Sequence, residues 1–118
     1  MFDFQKLIVY QKAKEFSKQV SVLLKSESFD RSTNDQLRRA SFSIMLNIAE
    51  GSSRFSNRDR KNFLVIARGS AFECVAILEY LMEMKMISDE DYALFLKTLD
   101  EISRMLFALI KKLDKPLE

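Results

Sequence analysis

Apolar residues recur along the chain at intervals of three and four, the spacing that places them on one face of an α-helix. Four such runs occur, and no stretch alternates apolar and polar residues as a half-buried strand does. The first two runs are Tyr10, Ala13, Phe16, Val20, Leu23 and Leu24, and Leu37, Ala40, Ile44 and Ile48. The other two are Phe63, Leu64, Ala67, Ala71, Cys74, Leu78 and Leu81, and Leu96, Leu99, Ile102, Leu106, Leu109, Ile110 and Leu113. The pattern predicts four helices.

Three of these helices are predicted to begin at a hydroxyl residue that is followed, three positions later, by an acid or amide. The pairs are Thr33 with Gln36, Ser56 with Asp59, and Ser88 with Asp91. Each pair follows a break in the apolar pattern, at 26–32, 51–55 and 84–87. Together with a helix near the N-terminus, these starts predict an all-α fold, an antiparallel up-down-up-down four-helix bundle that forms one domain over residues 1–118.

The composition fits this fold and limits the catalytic and metal sites that the chain could form. The chain has 118 residues, 47% of them hydrophobic, with only two glycines and one proline, which favours one domain of long helices over a loop-rich β-fold. It has no histidine and a single cysteine. A histidine-based catalytic triad, a Cys/His zinc site and an internal disulfide are therefore excluded. We expect no catalytic site, no metal and no cofactor.

The location of the protein is predicted from what the sequence lacks. Charged residues interrupt every apolar run before the roughly 18 to 20 residues that a membrane span needs. Asp3 stands where a signal peptide would carry basic residues, and the lone thiol of Cys74 is ordinary in a reducing compartment. We expect a cytoplasmic protein without membrane contact.

The third and fourth helices carry more apolar residues than one buried stripe requires. The additional residues are Phe72, Val75, Ile77, Met82, Met84, Met86, Tyr92, Phe95, Met105 and Phe107. Large exposed apolar patches usually mark a partner surface, so this excess favours self-association. The alternative is that these long helices simply have a broad buried face.

Charge is distributed unevenly along the chain. Residues 31–68 contain eight bases and three acids, a local balance of +5, whereas residues 69–118 have a balance of −4 and the whole chain +2. Seven of the eight arginines lie in the basic stretch, and arginine is suited to bidentate contact with phosphate. The sequence is therefore strongly polarised, although the protein is nearly neutral.

The turn between the second and third helices is the candidate nucleic-acid site, because four bases would project there together: Arg54, Arg58, Arg60 and Lys61. Contact with a phosphate backbone of RNA or DNA would be largely independent of sequence and strongly dependent on salt. Phe55 could stack on an unpaired base. The alternative is that these bases are merely solvated, or pair with acids of the fourth helix: Asp89, Glu90, Asp91, Asp100 and Glu101.

A polar stripe runs beside the apolar face of the second helix and consists of Arg39, Ser43, Asn47, Glu50 and Arg54. In the third helix Gly69 and Ser70 precede Glu73, and a mid-helix glycine predicts the close approach of another group. Arg39 and Asn47 are the candidate partners of the Glu73 carboxylate. We expect Arg39, Asn47, Glu50, Ser70 and Glu73 to form a structural polar cluster that fixes the register of the two helices.

An enzymatic interpretation of this cluster is weaker. Glu50 and Glu73 are similar to the paired carboxylates of di-iron bundles, but the Glu-x-x-His ligands are missing. Cys74 lies on the apolar stripe without a histidine to activate it, so it is expected to be a buried core residue.

The polar stripe also resembles a family signature. Gln36-Leu37-Arg38-Arg39-Ala40, Ser43-Ile44 and Asn47-Ile48-Ala49-Glu50-Gly51 with Arg54 resemble the four-helix-bundle proteins encoded in intervening sequences of bacterial 23S ribosomal RNA genes. Flanking matches include Tyr10, Arg68-Gly69-Ser70, Glu73 and 87–92, so the resemblance covers nearly the whole chain. Met45 departs from the pattern, because many members have proline there and a kink in the second helix.

The resemblance implies a four-helix bundle that assembles into a ring-like homo-oligomer, most often a pentamer, with no enzymatic activity. It also links the chain to accessory proteins of diversity-generating retroelements, which bind nucleic acid and a reverse transcriptase. We therefore expect a non-enzymatic oligomer that binds nucleic acid through Arg54, Phe55, Arg58, Arg60 and Lys61. The alternative is a protein-binding adaptor or scaffold ring that contacts a polymerase through apolar residues such as Phe95 or Phe107.

Overall fold

A computed structural model describes residues 1–114, and Lys115, Pro116, Leu117 and Glu118, the last four residues of the predicted domain, lie outside the described residues. After a short 3₁₀ helix, Asp3–Lys6, the chain forms α1 (Ile8–Ser26), α2 (Arg31–Ser52), α3 (Asn57–Glu83) and α4 (Asp89–Leu113). Each helix packs against its two neighbours, and α1 meets α4 to close an antiparallel bundle measuring 52 × 24 × 22 Å. The predicted all-α four-helix bundle is confirmed. Despite Met45, α2 is continuous.

Two of the three predicted helix starts are confirmed. The Ser56 hydroxyl accepts a hydrogen bond from the Asp59 amide at 3.1 Å, and Ser88 accepts one from Asp91 at 3.0 Å. The start at Thr33 is wrong, because α2 begins at Arg31 and the Asp30 carboxylate accepts the Thr33 amide hydrogen at 2.7 Å. A carboxylate carries the negative charge that a helix N-terminus favours.

The four apolar stripes form one core, in which Phe16, Ile44, Leu78 and Ile102 are fully buried. Of the additional apolar residues on α3 and α4, six are partly buried against this core: Val75, Ile77, Met82, Tyr92, Phe95 and Met105. The other four are exposed: Phe72, Met84, Met86 and Phe107. A broad buried face thus accounts for part of the apolar excess, and the exposed remainder consists of Phe72 on α3, Phe107 on α4, and Met84 and Met86 in the turn between these helices.

The two glycines have opposite surroundings. A Cβ on Gly51 would lie 3.1 Å from the Cβ of Phe63 and 3.4 Å from the carbonyl oxygen of Arg60, so α2 and α3 approach closely there. A Cβ on Gly69 would meet nothing within 4 Å. The predicted close approach at Gly69 is therefore wrong, because Gly69 lies on the outer face of α3.

None of the helices in residues 1–114 combines the length and apolar character that a membrane-spanning segment needs.

Candidate nucleic-acid interface

The topology brings three separate segments to one end of the bundle: residues 1–8, 50–61 and 109–114. They share an open groove of about 510 Å³ whose lining includes Leu7, Gly51, Leu64 and Lys112. We call this region the basic end, because its segments contain seven bases and four acids. The bases are Lys6, Arg54, Arg58, Arg60, Lys61, Lys111 and Lys112.

Among the bases of this end, Arg54 has the most contacts with other residues of the protein. Its guanidinium donates to the Glu50 carboxylate at 2.6 Å and lies 4.6 Å from the ring centroid of Phe63. Its Nε is buried without a hydrogen-bond partner in residues 1–114. Arg54 therefore joins α2 to α3, and its charge is largely balanced by Glu50.

Arg60 and Lys61 also have contacts within the protein. Arg60 Nε donates to the carbonyl oxygen of Arg54 at 2.7 Å, and Lys61 Nζ lies 2.6 Å from a carboxylate oxygen of Asp114. The first contact fixes the turn, and the second joins the start of α3 to the end of α4. The acids predicted as alternative partners do not pair with this turn: Asp100 pairs with Arg104 and Glu101 with Lys12, while 89–91 lie at the opposite end of the bundle.

Arg58 and Phe55 are the outward-facing members of the predicted site. Arg58 is exposed on the first turn of α3, and none of the ion pairs within residues 1–114 includes it. The Phe55 side chain is 100% exposed in the turn between α2 and α3. The predicted turn is thus divided into residues that hold it and residues that face solvent.

Sequence reasoning missed three bases of this end: Lys6, Lys111 and Lys112. All three are exposed, and the two lysines of α4 lie in its last turn, where a positive charge is favoured. The missed signal was the topology itself, since an up-down bundle must bring the end of its fourth helix to the turn between its second and third.

The predicted polar cluster is divided into three groups along the contact between α2 and α3. Arg39 donates to the Glu73 carboxylate at 2.7 Å, and Gln36 accepts from the same guanidinium at 3.1 Å. One turn away, Ser70 donates to the Ser43 hydroxyl oxygen at 2.7 Å. Asn47 is not a partner of Glu73, because its amide donates to the Ser43 carbonyl and hydroxyl oxygens within α2. The third group is the Glu50–Arg54 pair.

The two candidate carboxylates for enzymatic chemistry lie apart. Glu73 pairs with Arg39, and Glu50 lies eleven residues beyond Arg39 on α2, about 16 Å further along the axis at 1.5 Å per residue. Within residues 1–114 no three His, Cys, Asp or Glu side chains are placed to hold a metal ion.

Cys74 lies in the core, as its position on the apolar stripe predicts. Burial, and secondarily the charge of Glu73, raises the pKa of the Cys74 thiol to about 12. The thiol is therefore protonated near neutral pH and is a poor nucleophile.

Comparison with known proteins agrees with this architecture. A crystal structure of a protein of unknown function from the S23 ribosomal protein family of Bacteroides thetaiotaomicron is 31% identical, with a TM-score of 0.84 over 88% of this chain and 99% of that chain. No curated protein matches the chain. The family model described as 23S rRNA-intervening sequence protein matches residues 5–108. The chain therefore belongs to the 23S rRNA-intervening sequence protein family.

Proposed function

We propose that this chain is a non-enzymatic nucleic-acid-binding protein whose basic end contacts the phosphate backbone of RNA or DNA. The observation that carries the proposal is the gathering of seven bases from three segments at one end of the bundle, with an excess of three over the acids there. A cluster of Lys and Arg on one face is the electrostatic footprint of such binding.

The side chains that contact the phosphates are those bases of the basic end that have no ion-pair partner in residues 1–114. They are Lys6, Arg58, Arg60, Lys111 and Lys112, of which Arg60 also fixes the turn. Arg54 and Lys61 act mainly as supports. With about four phosphate contacts, affinity for a single strand should fall about 50-fold between 50 and 200 mM salt, because each neutralised phosphate releases counterions.

The test compares two double variants of equal charge change. Arg58→Ala with Lys112→Ala removes two exposed bases from the basic end, whereas Lys18→Ala with Lys25→Ala removes two exposed bases of α1 away from it. Fluorescence anisotropy with a labelled RNA at low salt should show about a tenfold loss of affinity for the first variant and little change for the second. Equal losses in both variants would mean that only net charge matters, and wild-type protein that binds no nucleic acid would refute the proposal.

A second candidate function is that of an oligomeric scaffold that binds a protein, such as a polymerase, through its α3–α4 surface. Phe72 and Phe107 are 55% and 50% exposed there, and the Arg68 guanidinium lies 4.7 and 5.4 Å from their ring centroids. Phe95 is a poor part of this surface, because it packs edge-to-face on Phe16 with the centroids 5.9 Å apart. Apolar area rimmed by charge suits a partner surface, including another copy of the chain.

Analytical ultracentrifugation tests this candidate. Wild-type protein should sediment as an oligomer, with a pentamer expected from the family resemblance. Phe72→Ser with Phe107→Ser should sediment as a folded monomer, because both side chains are half exposed in the isolated chain. A monomeric wild-type protein would contradict self-association, and unchanged assembly of the double variant would place the interface elsewhere.

A further inference from the structure

Phe55 is the most exposed large apolar side chain in the described part of the molecule, at 100%. Its neighbours are polar or charged and face solvent: Ser53, Ser56, Asn57 and Arg58. The fold of the turn does not depend on an aromatic residue at this position, because the fully exposed Phe55 ring packs on no other residue of 1–114. Contact with water over a whole aromatic ring is less favourable than contact with a partner, so the ring is available for a contact outside the isolated chain.

The backbone on both sides of Phe55 is held by hydrogen bonds. On the α2 side, the Ser53 hydroxyl donates to the Glu50 carbonyl oxygen at 2.7 Å and the Arg54 amide to the Gly51 carbonyl oxygen at 3.2 Å. On the α3 side, Ser56 caps the helix. Arg60 Nε then connects the two sides through the Arg54 carbonyl oxygen. The ring is therefore presented from a fixed turn, which lowers the ordering cost of binding.

The surroundings of Phe55 favour a nucleobase over a lipid or an apolar protein groove. The residues on either side of it in the turn are polar or charged, and the other strongly exposed apolar residues of the basic end, Met1, Phe2 and Ile8, belong to the N-terminal segment. Phe55 lies three residues before Arg58, within the basic end, where a phosphate backbone would run. Proteins bind single strands by combining aromatic rings with positive charge. The nucleobases stack on the rings, and the phosphates lie near Lys and Arg side chains. Bases in the interior of a duplex are stacked on both faces and offer no free face to the ring.

We propose that Phe55 is a stacking platform for an unpaired nucleobase, so that the basic end selects single-stranded or looped RNA or DNA over a duplex. This inference rests on the proposed nucleic-acid function and adds the class of substrate. Stacking of one base should contribute about tenfold in affinity. Phosphate contacts alone would not favour a single strand over a duplex.

The chain has no tryptophan, so Phe55→Trp introduces a single indole at the platform. Indole emission from this variant should be quenched when a ten-residue oligothymidylate is added at low salt. An abasic strand with the same number of phosphates and a blunt duplex should leave the emission nearly unchanged. Phe55→Leu keeps an apolar side chain and removes the ring. It should lose about tenfold in affinity for the oligothymidylate and nothing for the abasic strand or the duplex.

The outcomes separate this inference from the proposed function. If the wild-type protein binds the duplex as tightly as the single strand, the indole is not quenched and Phe55→Leu binds normally, then the platform is refuted while phosphate binding stands. If Phe55→Leu instead disrupts self-association, Phe55 belongs to a protein interface and the platform is again refuted. If wild-type protein binds none of the three probes, both proposals fail together.

Discussion

The two ends of the bundle carry opposite charge. The basic end has seven bases and four acids, whereas the opposite end, formed by residues 24–35 and 79–91, has eight acids and three bases. We call the latter the acidic end. The bundle is 52 Å long, several times the screening length of about 8 Å at physiological ionic strength, so the charges of one end are screened from those of the other.

Helix stability explains much of the charge at the acidic end. Both α2 and α4 begin there, and acids near a helix N-terminus are stabilising. Asp30 caps α2, and α4 carries Asp89, Glu90 and Asp91 in its first turn.

At the start of α3, which lies at the basic end, the same principle explains Asp59 but not the arginines. Arg58 and Arg60 lie in or next to its first turn, where a positive charge is unfavourable. Arg60 is compensated by its hydrogen bond to the turn, but Arg58 has no such contact within residues 1–114. Helix stability therefore does not explain the position of Arg58, which we assign to the proposed nucleic-acid contact.

The largest expected effect comes from the close helix contact that supports the basic end. Gly51→Val should lower the free energy of unfolding by about 2 kcal/mol, because the added atoms meet Phe63 and the α3 backbone. Gly69→Val is the matched control and should change it by less than about 0.5 kcal/mol, since its Cβ meets nothing within 4 Å. Urea unfolding of the three proteins measures both values. Equal losses at the two positions would contradict the contact at Gly51.

The next effect concerns a cap at the acidic end. Ser88→Ala should destabilise the protein by about 1 kcal/mol, because the Asp91 amide loses its acceptor. Ser88→Asp should restore most of this stability, since a carboxylate is an equally good cap. Thermal unfolding followed by circular dichroism provides the comparison, and a Ser88→Ala protein as stable as wild type would show that water replaces the cap without loss.

A smaller effect separates stability from binding at the basic end. Arg58→Glu should raise the free energy of unfolding by about 0.5 kcal/mol, because an acid suits the first turn of α3. The same variant should bind RNA more weakly than Arg58→Ala. If Arg58→Glu destabilises the bundle, then Arg58 has a structural role and the contrast between the ends is lost.

The smallest expected effect is the change in the free energy of unfolding with pH that Asp30 causes at the acidic end. It is small because the Asp30 side chain is exposed to solvent, which screens its charge. Its hydrogen bonds from Thr33 lower the pKa of the Asp30 carboxyl. The resulting stability is present above the ordinary pKa of an aspartate and is lost as the pH falls through the lowered value. Asp30→Asn keeps an acceptor without a charge, so its stability should fall less than that of wild type between pH 5 and pH 2, as urea midpoints will report.

The sequence predicted the features that depend on nearby residues. The apolar stripes and the caps at Ser56 and Ser88 are local, so the helices followed from spacing and end signals. The error at Thr33 is local too, because Asp30, three residues earlier, is itself a favoured N-cap residue and takes the cap instead. Burial of Cys74 followed from its place in the stripe.

Features that depend on contacts between helices were predicted less well. The sequence offered two partners for Glu73, and only the register of α2 on α3 selects Arg39 over Asn47. It could not tell which glycine faces a neighbouring backbone. The net charge of residues 31–68 also differs from the charge of the basic end in the folded protein. Folding places Arg31 at the acidic end and adds the lysines of α4 to the basic end.

The most direct test of the account is to locate the bound nucleic acid on the protein. Amide chemical shifts of ¹⁵N-labelled protein, followed while a short single-stranded RNA is added at low salt, report which end it contacts. If the basic end binds the RNA, the shifts will be concentrated at residues 54–61 and 111–114, residues 79–91 will be unchanged, and added salt will reverse the shifts. Shifts centred on the acidic end or on the α3–α4 surface, or no shifts at all, would contradict the claim that the basic end binds nucleic acid.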